Sequence, residues 1–241
     1  MALAALLLLP TVAGAQSDFG IWYGAGVEKK ISKKWSVDVE GEFRTRNNTR
    51  TADRWNVGAS VEYKIVKNLK ASAGYDFLYD NNPEKITYHA DASLNNWRPS
   101  YWGIRHRFHA DITGSVDVGR VKLSLRERWQ YTYRPSKTTS RYDFDNKWWE
   151  DKEVGPKGKN VLRSRLQAEW DIPKCKVEPY ANAELFNSWK LTKSRYTIGA
   201  DWKITKHHVA GLYYRYQDVR DNDDDNEPDS HIIGVNYKFK F

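Results

Sequence analysis

One cysteine and one methionine stand among 241 residues. The single Cys175 excludes an intrachain disulfide and any multi-cysteine metal site. G-x-S-x-G, H-E-x-x-H and C-x-x-C are all missing, and with them the common hydrolase, zinc and redox signatures. After Gln16 no run approaches the roughly 20 apolar residues that a membrane-crossing helix requires. The mean hydropathy, −0.80, is that of a soluble protein. Yet aromatics make up 14% of the chain, with 11 tryptophans and 15 tyrosines. A chain that hides an apolar face in strict alternation and places tryptophan and tyrosine at interfaces has this composition. The net charge of +8 would suit a nucleic-acid partner, but the start of the chain argues for export. Basic turns and a charged interior account for the charge instead, with no nucleic-acid partner.

Residues 1–15, MALAALLLLPTVAGA, are an apolar run ending in Ala13-Gly14-Ala15, the A-x-A pattern of a signal-peptide cleavage site. A positive n-region is absent. The expectation is a cleaved leader over 1–15 and one domain over 16–241. Within that domain a short Lys-rich turn recurs at Glu28–Lys33, Glu62–Lys67 and Asp201–Lys206, with relatives at Val118–Val121 and Ile172–Val177. Longer polar connections fall at about 47–53, 80–100, 134–160, 188–194 and 218–230. Short turns alternating with long loops is the asymmetry of an outer-membrane barrel, with periplasmic turns short and extracellular loops long.

The last strand, His231–Phe241, carries Ile233, Val235, Tyr237, Phe239 and Phe241 on one face. Its other face carries Ile232, Gly234, Asn236, Lys238 and Lys240. It resembles the closing strand of bacterial outer-membrane barrels. That resemblance implies that Tyr237, Phe239 and Phe241 form the signal read by the barrel-insertion machinery, after escort by periplasmic chaperones. Aromatics also gather at both ends of the outward faces. Trp35, Tyr63, Trp170, Trp202 and Tyr237 suit one girdle, and Phe43, Trp55, Tyr79, Trp102, Trp129, Tyr133, Tyr196 and Tyr216 the other. The fold class expected is all-β: a transmembrane antiparallel up-and-down barrel of about ten to twelve strands, in the bacterial outer membrane, contacting its lipid and lipopolysaccharide. Ten strands run from Trp35 to Phe241, and Asp18–Glu28 makes an eleventh. That extra strand could close in parallel, enter the lumen, or signal a strand missed within 80–101.

The opening Asp18-Phe19-Gly20-Ile21-Trp22 and the turn repeats resemble those of the outer-membrane family known as domain of unknown function 2490. So do Arg105-His106-Arg107-Phe108, Arg126-Glu127-Arg128, Pro179 with Glu184-Leu185-Phe186, His207-His208, Tyr213-Tyr214-Arg215-Tyr216-Gln217 and the last strand. The likeness spans the whole chain after the leader. It implies a barrel and no particular activity.

Chemistry must therefore be sought on the inward faces. The tight hairpin at Gly119-Arg120 sets Asp111 opposite Arg128, and the turn at Lys174-Cys175 sets Arg165 opposite Glu184. Arg105, Arg107, Arg126, Arg128, Arg163 and Arg165 form an inward ladder in the middle strands. Asp38, Glu40, Glu42, Glu62, Asp76, Glu178 and Glu184 supply inward acids. The first reading is a closed lumen stitched by salt bridges, with function in the outer loops. The alternative is a narrow arginine-lined pore for small anionic or zwitterionic solutes. A surface lipid- or peptide-acting hydrolase is the third. His106, Glu127 and Ser164 face outward, but His106 and Glu127 stand roughly 20 Å apart along the strands, so Glu127 is expected to mark a bulge or to be an isolated carboxylate on the lipid face. His89 with Asp91 is the remaining loop pair. No catalytic residue and no cofactor is assigned, and the chain is not expected to be an enzyme. Asp221, Asp223 and Asp225 have the alternate spacing of a calcium loop, without the glycine and terminal glutamate such a loop needs. Trp148-Trp149, in a basic loop, are candidates for glycan or lipid contact or for a lid.

Overall fold

The computed structural model describes residues 17–220 and 227–241. The leader at 1–15 and the calcium candidates Asp221, Asp223 and Asp225 lie outside them. Eleven long strands close into a barrel: β1 (Asp18–Lys30), β2 (Trp35–Arg46), β3 (Thr51–Val66), β4 (Leu69–Asn82), β7 (Tyr101–Val118), β8 (Val121–Arg134), β11 (Lys157–Trp170), β12 (Val177–Ser188), β13 (Lys190–Lys203), β14 (His208–Val219) and β15 (Ser230–Lys240). Four short strands, β5 (Lys85–Tyr88), β6 (Leu94–Arg98), β9 (Lys137–Asp143) and β10 (Trp148–Val154), form a separate sheet in the order β10-β9-β6-β5.

The eleventh strand closes the ring in parallel. β1 pairs antiparallel with β2 and parallel with β15, from Asp18 opposite Ser230 to Glu28 opposite Lys240. Of the three outcomes open for that strand, parallel closure is the one observed, and the otherwise antiparallel barrel departs from the expected class at this one seam. An odd number of up-and-down strands must meet in parallel somewhere, because the first and last then run the same way. Residue 18 thus lies at the end where the long connections are, and residue 241 at the other.

The three Lys-rich turns and their two relatives all fall at one end. At the opposite end two connections are shorter than their polar sequences suggest. Pairing runs on to Arg46 opposite Thr51 and to Ser188 opposite Lys190. Asn47, Asn48 and Thr49 turn at φ of 54°, 53° and 67°, and Trp189 alone turns at 65°. Asn tolerates this left-handed region because its side chain can bond the local backbone. The expected long loops at 47–53 and 188–194 are tight turns. Those at 80–100 and 134–160 are the two hairpins of the separate sheet.

The barrel is apolar outside and polar inside. Ile198, Val57, Leu212 and Ile112 are 64%, 58%, 59% and 55% exposed, whereas Gln217, Glu184 and Asp80 are 5%, 4% and 4% exposed. Period-two strands put alternate residues on the two faces, so one alternation produces both. The aromatic rims of the outer face are in contact across strands: Trp35 with Tyr63 at 4.6 Å and Phe43 with Trp55 at 4.3 Å between ring centroids, and Tyr79 with Trp102 at 4.8 Å. Inside, Trp22, Tyr213 and Ile232 make one small apolar cluster beside the seam, joined by Tyr180. Gly234 permits it: a Cβ there would sit 1.9 Å from the Tyr213 ring.

Candidate functional site

The bore holds three cavities in series, of about 470 Å³ at the long-connection end, 280 Å³ in the middle and 510 Å³ at the short-turn end. Neighbours share walls. Arg44, Arg54, Arg105 and Glu227 line the first two, and Glu40, Asp76, Arg126 and Arg165 line the last two.

Strand register builds the middle cavity. One row crosses five strands as Arg126, Arg165, Glu184, Arg195 and Gln217. A second runs Asp111, Arg128, Arg163, Phe186 and Lys193. A third runs Trp22, Arg44, Arg54 and Asp80. Like charges therefore face each other directly at Arg126/Arg165, Arg128/Arg163 and Arg44/Arg54, an arrangement that destabilises a sheet unless carboxylates intervene. Four do. Glu184 accepts from Arg126 at 2.6 Å and Arg163 at 3.0 Å, and Asp111 from Arg128 at 2.7 Å. Asp80 holds Arg54 and, at 3.0 Å, Arg105, while Glu42 holds Arg44 at 2.5 Å. Arg107 approaches Asp76 at 3.9 Å.

These carboxylates do not balance the wall. Among the described residues the middle cavity is lined by eleven arginines and three lysines against five carboxylates. Arg165 is in register with Glu184, as the turn spacing implies. It makes no ion pair with it among the described residues, because Arg163, two residues earlier on β11, and Arg126, from β8 on the far side of β11, take the carboxylate instead. The Nε atoms of Arg126, Arg163 and Arg165 are buried without a hydrogen-bond partner there. Glu227, from the last long connection, enters the bore and accepts from Lys193 at 2.5 Å. The Lys193 ammonium beside it holds its carboxyl well below the usual range, against the opposing effect of burial.

The remaining inward acids belong to the short-turn end. Glu62 pairs with Lys70 at 2.8 Å and Asp38 with Lys238 at 2.8 Å, while Glu178 is held by Lys203 at the turn. Glu40 lines both the middle and the short-turn cavities. There the signs are nearly even, so charge is graded along the bore.

Sequence reasoning missed Arg44, Arg54, Arg195, Arg215, Lys193 and Trp22 on this wall. Parity would have found the arginines, since they alternate with Glu42, Asn56, Thr197 and Tyr213. Trp22 depended on placing the first strand.

The outward candidates rearrange. Ser164 donates to Glu127 at 2.7 Å across a regular pair of strands, so no bulge lies at Glu127. His106 bonds Tyr75 instead, at 2.7 Å. His89 meets Asp145 at 3.1 Å, and Asp91 accepts from Ser93, so the pairing of His89 with Asp91 is also corrected. Trp149 lies in a row with Tyr142 and Trp97 across the separate sheet. Tyr237 and Phe239 pack with His208 at 6.0 and 5.0 Å, and Phe239 with Phe241 at 4.5 Å.

Comparisons with known proteins bear on the fold. The beta domain of the Bordetella autotransporter Brka superposes with a TM-score of 0.51 at 13% identity, over 84% of this chain and 79% of that one. The NanC porin superposes with a TM-score of 0.50 at 14% identity, over 93% of this chain and 99% of that one. No curated protein matches the sequence. A family model described as "Protein of unknown function (DUF2490)" matches residues 19–227, and the chain belongs to that family.

Proposed function

We propose that this chain is a bacterial outer-membrane barrel whose bore is a narrow path for small anionic solutes. The membrane reading is supported by the exposed apolar belt with aromatic pairs at both rims, and by fold likeness to a porin and an autotransporter beta domain. In that orientation the short turns face the periplasm and the long connections the cell surface. The last strand's Tyr237, Phe239 and Phe241 are the segment offered to the insertion machinery.

One observation carries the anion path: eleven arginines and three lysines against five carboxylates in the middle cavity. A core built only for stability would match its signs, because an uncompensated buried charge is costly. An excess of cations lining cavities that share walls concentrates anions along the wall. The closed, salt-bridged lumen remains the second reading, favoured by the bonds at Glu184, Asp111 and Asp80. No enzymatic role is proposed: Ser164 donates to Glu127 itself rather than to a histidine.

Planar-bilayer recordings of the refolded wild type beside Arg126→Gln and Arg165→Gln separate the two. Steady currents in the wild type whose anion preference falls in both variants support the path. A silent wild type that opens only when Glu184 is replaced supports the closed lumen.

A further inference from the structure

Three guanidinium groups gather on one indole in the bore. The guanidinium carbon of Arg44 lies 3.7 Å from the Trp22 ring centroid, that of Arg215 at 5.0 Å and that of Arg195 at 5.1 Å. They come from three strands, β2, β14 and β13, and all line the middle cavity. Each is fixed through its Nε, which donates to Glu42 at 2.6 Å from Arg44, to Thr197 Oγ1 at 3.0 Å from Arg215 and to Gln217 Oε1 at 2.9 Å from Arg195. Stacking on the electron-rich face of the indole offsets part of their mutual repulsion and holds the planes still. Among the described residues, Glu42 is the one carboxylate that bonds any of the three. Arg44 also donates through Nη2 to Glu42 at 2.5 Å, so it is Nη1 of Arg44 and the terminal nitrogens of Arg195 and Arg215 that are preorganised and short of acceptors.

The geometry selects among anions. A planar carboxylate is satisfied by a single fork. Three guanidinium groups set around one ring, that of Arg44 partly engaged by Glu42, suit an anion that offers three oxygens in different directions and carries more than one charge. We infer that the Trp22 triad is a binding site for a tetrahedral oxyanion, the phosphate or sulfate group of a small solute. The inference rests on the anion-path reading above. It adds the class of solute: one bearing a phosphoryl or sulfuryl group in preference to a carboxylate.

The test is isothermal calorimetry on the refolded full chain in detergent, with inorganic phosphate, sulfate and acetate as probes. Phosphate and sulfate are expected to bind saturably and at least about tenfold more tightly than acetate. Arg44→Gln and Arg215→Gln should each weaken phosphate roughly tenfold or more, and Arg215→Lys, which keeps the charge and loses the fork, should lose most of the preference over acetate. Arg120→Gln, in a distant turn, should bind as the wild type does. Equal affinity for acetate, no saturable heat with phosphate, or triad variants that bind like the wild type would each overturn the site. A second arm adds phosphatidic acid to the micelles. A site inside the bore should ignore it, and competition with inorganic phosphate would transfer the ligand to a lipid headgroup and overturn the solute claim. Calorimetry reads binding whether or not the barrel conducts. Phosphate binding in a silent barrel would sink the anion path alone, and conduction without phosphate binding would sink this inference alone.

Discussion

Glu184→Gln is the most informative single change in the bore. The carboxylate is 4% exposed, bonds Arg126 and Arg163, and stands in register with Arg165 and Arg195. Glutamine keeps its volume, so packing is preserved while four guanidinium groups lose their shared counter-charge. Removing one partner from a buried ion pair costs about 3–5 kcal/mol, and the polar cavities that adjoin it hold the expectation near the lower figure. Urea unfolding in lipid vesicles, followed by tryptophan fluorescence, reads that loss. Arg163→Gln in the same background should recover part of it, with a coupling of about 0.5–3 kcal/mol. Bilayer recordings on the same sample should show stronger anion preference, since one of the five carboxylates is gone. A variant within about 0.5 kcal/mol of the wild type, with unchanged selectivity, would refute the claim that this carboxylate anchors the basic wall.

Three further outcomes are expected. With Cys175 replaced by serine, Asp18→Cys, Asn48→Cys and Trp189→Cys should each react with a membrane-impermeant maleimide on intact cells, whereas native Cys175, exposed in a short turn, should not; an unreactive Asp18→Cys beside a reactive Asn48→Cys would contradict the parallel seam. Glu227 has a depressed folded pKa, so its bond to Lys193 is fully present above the unfolded glutamate value of about 4.3 and is lost only as pH falls through the lower folded value. Conductance that differs between wild type and Glu227→Gln should therefore differ equally at pH 7 and pH 5. Glu127→Leu removes a carboxylate from the apolar outer belt and should stabilise the folded barrel in vesicles by about 1–2 kcal/mol, measured by the same urea titration; destabilisation would mean that the bond to Ser164 outweighs desolvation.

The parts of this fold that are local were legible in the sequence. Alternation in β15 and the Lys-rich turns imply a barrel and its two ends, and the hairpin at Gly119-Arg120 fixes Asp111 against Arg128 by counting alone. Register did not decide which charges meet. Arginine is long enough to reach diagonally, so Arg126 and Arg163 take Glu184 from Arg165, its direct neighbour. The seam between β1 and β15 was one of three open outcomes, because closure depends on every strand between them. Polar runs misled in both directions. Asn47-Asn48-Thr49 turns tightly because Asn accepts a left-handed backbone, and Thr138-Thr139-Ser140, read as loop, pairs as a strand in a hairpin where Trp149 packs edge-on against Tyr142. The basic excess is spread thinly in the sequence: Arg44, Arg54, Arg195 and Arg215 sit singly on strands whose acids or apolar outer faces make the stronger pattern, and only closure of the barrel gathers them.

The central claim is that the bore favours anions. The reversal potential of the refolded wild-type barrel in a planar bilayer, under a gradient of potassium chloride, measures this directly. A potential with the sign of chloride permeation, enlarged in Glu184→Gln and reduced in Arg165→Gln, is the predicted result. A potential with the sign of potassium permeation would contradict the account.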